Sequence, residues 1–251
     1  MRRAERMSAI IDRVAAGGSV DVADLAKALG VSGATIRRDL QALSRDRLLV
    51  RVHGGAVSRD GNGELPAQVK AARRLPEKRR IGRAAAGLVA DGAVIGMTGG
   101  STAMELARAL AGRHDITIVT NAIDIAAELV GRPNTRLVVI GGLVRRSAEA
   151  VGPAAEAMLS QYHLDVAFIG VDGLSADDGC TTYDEMEAQT DLAFLRRARR
   201  TIVIADSSKL GKVTFARISP ISEVHDVVTN EDADPDQLAA LRRAGVHVVS
   251  V

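Results

Sequence analysis

The chain has 251 residues, more than the roughly 100–150 of a typical single domain, and 47% of them are apolar, so two cores of different size are expected. Aromatic residues make up only 2% and tryptophan is absent, which argues against an aromatic surface that stacks single-stranded nucleic acid. Residues 1–83 carry 18 Lys and Arg against 9 Asp and Glu, whereas the remainder carries 15 against 22. A polyanion would therefore bind near the amino-terminal end.

The single cysteine, Cys180, excludes an intramolecular disulfide and a cysteine-based zinc cluster, and the five histidines show no metal-ligand spacing. No basic leader followed by an apolar segment opens the sequence, and no apolar run approaches the roughly 18 residues needed to cross a bilayer. We expect a cytoplasmic protein that uses no metal ion and no cofactor.

Three helices are predicted at the amino-terminal end. The first covers about residues 3–16 and the second residues 22–29, with Gly30 as its break, because apolar residues recur there at helical spacing. Ser32 is a good N-cap for the third helix, on which Ile36, Leu40 and Leu43 share the inner side. The outer side of this third helix is left free to enter a groove of DNA.

A β-rich run at residues 48–52, a turn at Gly54-Gly55 and a short strand at 56–57 follow these helices. Together they predict a winged helix-turn-helix for residues 1–57. Arg47 also falls on the predicted wing. The expected DNA-binding residues are Ser32, Ala34, Thr35, Arg37, Arg38, Gln41 and Arg45 on the third helix, with Arg51 and His53 on the wing.

The polar, glycine-rich residues 58–66 predict a linker. The basic residues 70–83 that follow could contact the phosphate backbone or form a charged connecting helix, and the sequence leaves both interpretations open. We therefore expect a linker and connecting segment at 58–83 and a larger α/β domain at 84–251.

From residue 84 onward, β-branched runs alternate with helical segments, which predicts a largely parallel sheet covered by helices on both faces. The predicted strands are 93–97, 117–119, 137–140, 166–169, 201–205, 224–228 and 246–251. The predicted helices are 102–111, 123–130, 154–161, 184–198 and 235–244.

Small polar loops follow the predicted strands, and ligands of such sheets collect at those strand ends. The loop 98–102, Thr-Gly-Gly-Ser-Thr, precedes a helix, so its backbone could approach a phosphate at the helix N-terminus. A merely structural turn is the alternative, since both the dinucleotide-binding glycine pattern and the Walker pattern are absent. Residues 177–183 are expected to be a loop as well.

Small polar loops follow the first five predicted strands, at 98–102, 120–121, 141–142, 170–173 and 206–209. Together they predict a pocket for a phosphorylated ligand, and residues 177–187 add carboxylates that could accept hydrogen bonds from sugar hydroxyls. Helix capping would explain the acidic residues at 184–187 almost as well. The expected effector-binding residues are Thr98, Gly99, Gly100, Ser101, Thr102, Thr120, Asn121, Gly141, Gly142, Asp172, Thr181, Glu187, Asp206 and Lys209.

The run Thr35-Ile36-Arg37-Arg38-Asp39-Leu40, with Ser32 and with Arg6, Ile10 and Val14 on the first helix, resembles the DeoR family of bacterial transcription regulators. The second half resembles the sensor domain of that family. Its matching pieces are Gly99-Gly100-Ser101-Thr102, Thr120-Asn121, Gly141-Gly142, Gly152-Pro153, Gly170-Val171-Asp172-Gly173, Gly179-Cys180-Thr181-Thr182 with Glu187, and Asp206-Ser207-Ser208-Lys209-Leu210-Gly211. The resemblance implies a fold similar to ribose-5-phosphate isomerase and glucosamine-6-phosphate deaminase, and a phosphorylated sugar or related metabolite as effector.

The leading hypothesis is a one-component repressor that binds duplex operator DNA as a homodimer or homotetramer and has no catalytic residues. One alternative is a sugar-phosphate isomerase or deaminase fused to a DNA-binding module, for which Asp172, Asp178 and Glu187 are acid–base candidates. The related deaminases have a histidine where this chain has Leu174, which counts against that alternative. A constitutive DNA-binding protein with a ligand-free core is the other.

Overall fold

The computed structural model describes residues 2–46, 48–57, 64 and 67–251, and the chain divides into two compact units, Met1–Val69 and Lys70–Val251. Arg47 and all of the predicted linker 58–66 except Glu64 lie outside the described residues. The basic segment at 70–83 belongs to the second unit.

The first unit is a winged helix-turn-helix. Its elements are α1 (Arg3–Gly17), β1 (Ser19–Asp21), α2 (Val22–Leu29), α3 (Gly33–Arg45), β2 (Val50–Val52) and β3 (Gly55–Val57). Gly30 ends α2 with a φ of 64°, and the Ser32 side chain accepts a hydrogen bond from the Thr35 N–H at 3.2 Å, as their sequence positions predict.

Two features of the first unit were not predicted. The strand β1 joins the wing as a third antiparallel strand, in the order β1-β3-β2. The buried carboxylate of Asp39 on α3 accepts hydrogen bonds from Arg6 on α1, at 2.6 and 3.3 Å. Because Arg6 and Asp39 are 33 residues apart, no local pattern reveals this ion pair, which fixes α3 against α1.

The second unit begins with helices. Helix α4 (Ala67–Ala72) straddles the boundary between the units, and α5 (Leu75–Gly87) packs its buried residues Ile81, Ala85 and Ala86 into the core. The remaining helices are α6 (Ser101–Ala109), α7 (Ile123–Leu129), α8 (Pro153–Leu159), α9 (Glu185–Arg197) and α10 (Pro235–Arg243).

A seven-stranded parallel sheet forms the centre of this unit. Its strands are β4 (Val94–Met97), β5 (Ile116–Thr120), β6 (Thr135–Val139), β9 (Leu164–Ile169), β12 (Ala198–Ile204), β14 (Asp226–Thr229) and β15 (His247–Ser250), and all seven were predicted. The spatial order is β15-β14-β12-β9-β4-β5-β6. The predicted fold class is therefore confirmed.

Side-chain alternation along the strands produces a core on each face of the sheet. Ile202 and Ile204 lie in the cluster that includes residues of α5, α6 and α7, whereas Val203 between them lies in the cluster that includes residues of α8, α9 and α10. The two burial patterns follow from the two-residue period of a strand.

Two small antiparallel sheets sit beside the main sheet and were not predicted. One is the hairpin of β7 (Leu143–Val144) and β8 (Ala150–Val151), and the other contains β10 (Gly173–Ser175), β11 (Gly179–Thr182) and β13 (Ala216–Ser219). The expectation of a loop at 177–183 is wrong for β11, which is built of Gly, Cys and Thr rather than long apolar residues and pairs both with the adjacent β10 in a hairpin and with the distant β13.

The contact of α5 with α6 gives a stability test. A Cβ on Gly82 would lie 2.6 Å from the backbone carbon of Glu105 on α6. Gly82→Ala should lower the free energy of unfolding by about 1–3 kcal/mol through overpacking, despite the better helix propensity of alanine. Thermal and urea unfolding measure it.

The matched control is Gly87→Ala at the end of the same helix, where a Cβ meets no atom within 4 Å. This substitution should be neutral or stabilising by about 0.5–1 kcal/mol. Equal effects of the two substitutions would contradict the close packing of α5 on α6.

Candidate functional site

The carboxyl ends of the seven parallel strands meet at one edge of the sheet, and the strand order reverses between β4 and β9. From β4 the chain proceeds to β5 and β6 on one side, whereas β9 is followed outward by β12, β14 and β15 on the other. The loops that leave β4 and β9 therefore diverge and open a crevice, the usual ligand position in open α/β sheets. This point of reversal is the candidate site.

The loops after β4 and β9 touch each other at this point. The Thr98 hydroxyl accepts a hydrogen bond from the Gly170 N–H at 3.0 Å. A Cβ on Gly170 would lie 2.6 Å from the carbonyl oxygen of Gly99, and a Cβ on Gly99 would collide with the carboxyl group of Glu149. The glycines are required here by close approach.

The N-terminus of α6 has no side-chain cap. Its N-cap residue, Gly100, has a φ of 110°, a conformation that disfavours any side chain, and makes no side-chain capping hydrogen bond. Ser101 is half-buried and Thr102 is buried in the first turn. Oriented N–H groups and the positive end of the helix dipole make this turn suitable for an anion.

Asp172, directly beyond β9, is held between two lysines. Its carboxylate lies 3.2 Å from the Lys70 ammonium and 2.7 Å from that of Lys209. Burial alone would raise the pKa of Asp172, but the two ammonium groups hold it well below its ordinary value. Asp172 is therefore an ionised hydrogen-bond acceptor.

The basic segment 70–78 contributes further cations to this edge. Lys78 is buried and donates to the carbonyl oxygens of Lys70 and of Arg73, and its ammonium lies 4.0 Å from Asp206. Arg74 donates to the Ser207 hydroxyl at 3.0 Å. From the sequence, this segment was expected to contact the phosphate backbone of DNA or to connect the two domains. Its contacts with the strand-end loops were not predicted.

A group of buried carboxyls includes Glu149, which lies against Gly99 in the loop 98–102. Glu187 on α9, a predicted acceptor for a sugar hydroxyl, is paired with Arg145 and accepts a hydrogen bond from Thr182. Burial and then neighbouring carboxyl charges raise the pKa of Glu149 and of Asp191. No local pattern in the sequence indicates that Glu149, Asp191 and Arg145 lie at this site.

Several other predicted effector-binding residues make structural hydrogen bonds. The Thr120 hydroxyl accepts from the Ala122 N–H, and the Asn121 amide donates to the Ala150 carbonyl, while the Asn121 Oδ1 finds no partner among the described residues. The Thr181 hydroxyl accepts from the Thr214 N–H. Asp206 caps the turn Ser207–Lys209, and Gly141 and Gly142 are exposed beyond β6.

The candidate DNA-binding surface lies on the first unit. Ile36, Leu40 and Leu43 of α3 are buried, so the opposite side of this helix faces solvent. The predicted residues on that side are exposed or half-buried: Ser32, Ala34, Thr35, Arg37, Arg38, Gln41 and Arg45. Arg51 on β2 and His53 in the following turn are also exposed.

Across the described part of the chain, no helix is long and apolar enough to cross a membrane. The same residues contain no group of three or more His, Cys, Asp or Glu arranged to hold a metal ion.

Comparison with known families matches both units. The DeoR-like helix-turn-helix domain matches residues 6–61, and the DeoR C-terminal sensor domain matches residues 73–231. The chain belongs to the DeoR family. The predicted membership is thus confirmed, and a DNA-binding domain followed by a sensor domain is the family architecture that both units display.

Relatives in the DeoR family match over nearly the whole chain. The HTH-type transcriptional regulator GlpR of Haloferax volcanii is 35% identical over 99% of this chain and 98% of its own. The glycerol-3-phosphate regulon repressor of Escherichia coli K12 is 31% identical over 94% and 93%. The uncharacterized regulator YulB of Bacillus subtilis 168 is 32% identical over 99% and 96%.

Among solved structures, ribose 5-phosphate isomerase A of Neisseria gonorrhoeae aligns with 53% of this chain and 52% of its own, at 20% identity and a TM-score of 0.40. This partial similarity implies nothing about activity.

The buried carboxyl of Asp191 provides a pH test. Its Oδ1 is buried and finds no hydrogen-bond partner among the described residues. Since its pKa is raised in the folded protein, the folded state keeps a proton that the unfolded chain releases above about pH 4, so this group costs stability as the pH rises from there. Asp191→Asn should therefore raise the Tm at pH 7, with about 2–4 °C for each kcal/mol.

The gain from Asp191→Asn should shrink as the pH falls toward 4, where both proteins are uncharged at this position. The exposed Glu231→Gln variant is the control and should follow the wild type at every pH. A Tm difference that does not change with pH would contradict the raised pKa.

Proposed function

We propose that this DeoR-family protein is a one-component transcriptional repressor whose operator binding is modulated by a phosphorylated sugar or a related metabolite. The observation that carries the proposal is the uncapped α6 N-terminus at the point of strand-order reversal, in a chain that also carries a winged helix-turn-helix. The names of relatives as repressors, one of a glycerol-3-phosphate regulon, support the same direction.

The DNA-binding role is assigned to the exposed side of α3 and to the wing. Arg37 and Arg38 are the candidates for reading base edges, because arginine pairs bidentately with guanine in the major groove. Arg51 is the candidate for phosphate contact. Operator sites commonly match symmetric protein pairs, so we infer a homodimer or homotetramer that acts on chromosomal DNA in the cytoplasm.

The protein is proposed to bind its sugar ligand without turning it over. Asp172 is a poor proton donor, because two lysines keep it ionised. Leu174, where the related deaminases have histidine, is fully buried in β10. Of the other two acid–base candidates, Glu187 is paired with Arg145 and Asp178 accepts a hydrogen bond from the Ser175 hydroxyl, so an isomerase or deaminase is the weaker candidate.

Operator binding tests the first part. Arg38→Ala should cost about 1–3 kcal/mol of operator affinity and relax the base preference at one position, whereas Arg51→Ala should weaken all sequences alike and lower the salt slope by about 1. Fluorescence anisotropy at several salt concentrations measures both effects. Arg199→Ala, which removes an exposed charge from the second unit, is the control. Normal operator binding by an Arg37 and Arg38 double variant would overturn the assignment of α3.

A ligand screen tests the second part. Glycerol 3-phosphate, pentose phosphates and hexose phosphates are compared by thermal shift, since a ligand at 100 times its Kd stabilises the folded state by about 2.7 kcal/mol. Lys209→Ala should weaken the binding of the sugar phosphate and leave the operator affinity of the ligand-free protein unchanged. An unaltered ligand response would assign Lys209 a purely structural role, and steady turnover lost on Asp172→Asn would favour the enzyme.

A further inference from the structure

Cations outnumber carboxylates where the basic segment meets the strand-end loops. Lys70 and Lys209 contact Asp172, and Lys78 and Arg74 lie 4.0 and 3.9 Å from Asp206. Within these ion pairs, two carboxylates face four cations. The Lys70 charge also acts on Glu149 and Glu187, but burial raises the pKa of both carboxyls and Glu187 has its own partner in Arg145. The excess positive charge suits a small dianion, which a phosphate monoester is at neutral pH.

The four cations differ in their access to solvent. The Lys78 side chain is only 5% exposed, and burial lowers its pKa to about 8 although Asp206 opposes this. Lys70, Lys209 and Arg74 keep 20%, 24% and 42% of their side-chain surface exposed. These three side chains can therefore contact a ligand, whereas Lys78 is buried and stabilises the segment by donating to its backbone carbonyl groups.

The Asp172 carboxylate shows how an anion is held at this position. One of its oxygens lies within 3.2 Å of both the Lys70 and the Lys209 ammonium groups. Lys70 also stands 5.6 Å from the centroid of the Tyr183 ring, which restricts its direction. Two ammonium groups converging on one oxygen is the arrangement that a phosphate oxygen also requires.

Lys70 lies at the boundary between the two units of the chain. Lys70 is the first residue of the second unit, directly after the unit that carries the helix-turn-helix. Lys78 holds the carbonyl groups of Lys70 and Arg73, so residues 70–78 are joined to one another as well as to the loops after β9 and β12.

We propose that Lys70, Arg74 and Lys209 form a subsite for the anionic group of the effector, and that residues 70–78 transmit its occupancy to the DNA-binding unit. The proposal rests on the proposed function and adds Lys70 and Arg74 to its effector site. The bound dianion shares Lys70 and Lys209 with Asp172, which changes the anchoring of the segment that follows the helix-turn-helix.

Inorganic phosphate is the probe, titrated into the full chain by calorimetry. Lys70→Met and Lys209→Met should each weaken phosphate binding about tenfold or more, the loss of one charge-assisted hydrogen bond. Arg80→Met removes an exposed charge from α5 and should change the affinity less than twofold. Lys70→Arg should restore most of the binding, which separates a charge effect from misfolding.

Operator affinity is then measured with and without phosphate. The wild type and Arg80→Met should show the same phosphate-dependent change, whereas Lys70→Met should show little or none. Equal phosphate affinity in Lys70→Met and wild type, or no phosphate binding by the wild type, would overturn the subsite. Failure of the wild type to bind operator without phosphate would instead count against the proposed function and leave the calorimetric result standing.

Discussion

The candidate site depends on the close approach of the loops after β4 and β9. These neighbouring parallel strands are followed by connections that leave in opposite directions, so a crevice opens between them at the carboxyl edge of the sheet. Contact between Gly99 and Gly170 leaves no space for a Cβ, and the Thr98 hydroxyl holds the two backbones together. The uncapped α6 N-terminus and Asp172 are both placed by these two loops.

Sequence periodicity was sufficient for the sheet and its helices. The inner strands of the sheet carry apolar, largely β-branched runs that are mostly buried on both faces, a strong local signal, whereas the edge strands β6 and β15 are only partly buried. The short strands β10 and β11 lack this signal because they are built largely of glycine, threonine and serine, and the four-residue β13 pairs with β11 only over a long sequence separation. The same contrast separates α3, with its clear N-cap and apolar face, from the unpredicted strand β1.

The candidate site was predictable only where its chemistry lies in strand-end loops. Gly99, Asp172 and Lys209 could be found because small polar residues follow strong strands. Lys70 and Asp172 are 102 residues apart, and nothing near Lys70 indicates that it folds onto that carboxylate. Glu149 and Asp191 escaped notice for a related reason, since a charged residue in a sequence is ordinarily expected at the surface, not beside other buried carboxyls.

The energy of the ion pairs at the candidate site can be compared with the coupling free energy that regulation requires. Coupling between a ligand site and a DNA site typically amounts to about 1–3 kcal/mol, and one charge-assisted hydrogen bond is worth about 1.5–3 kcal/mol. A single contact that differs between the ligand-free and the ligand-bound protein, such as that of Lys70 with Asp172, is therefore large enough to account for regulation. Since coupling is reciprocal, the same contact that lets a ligand alter operator binding must let operator DNA alter ligand binding by an equal factor.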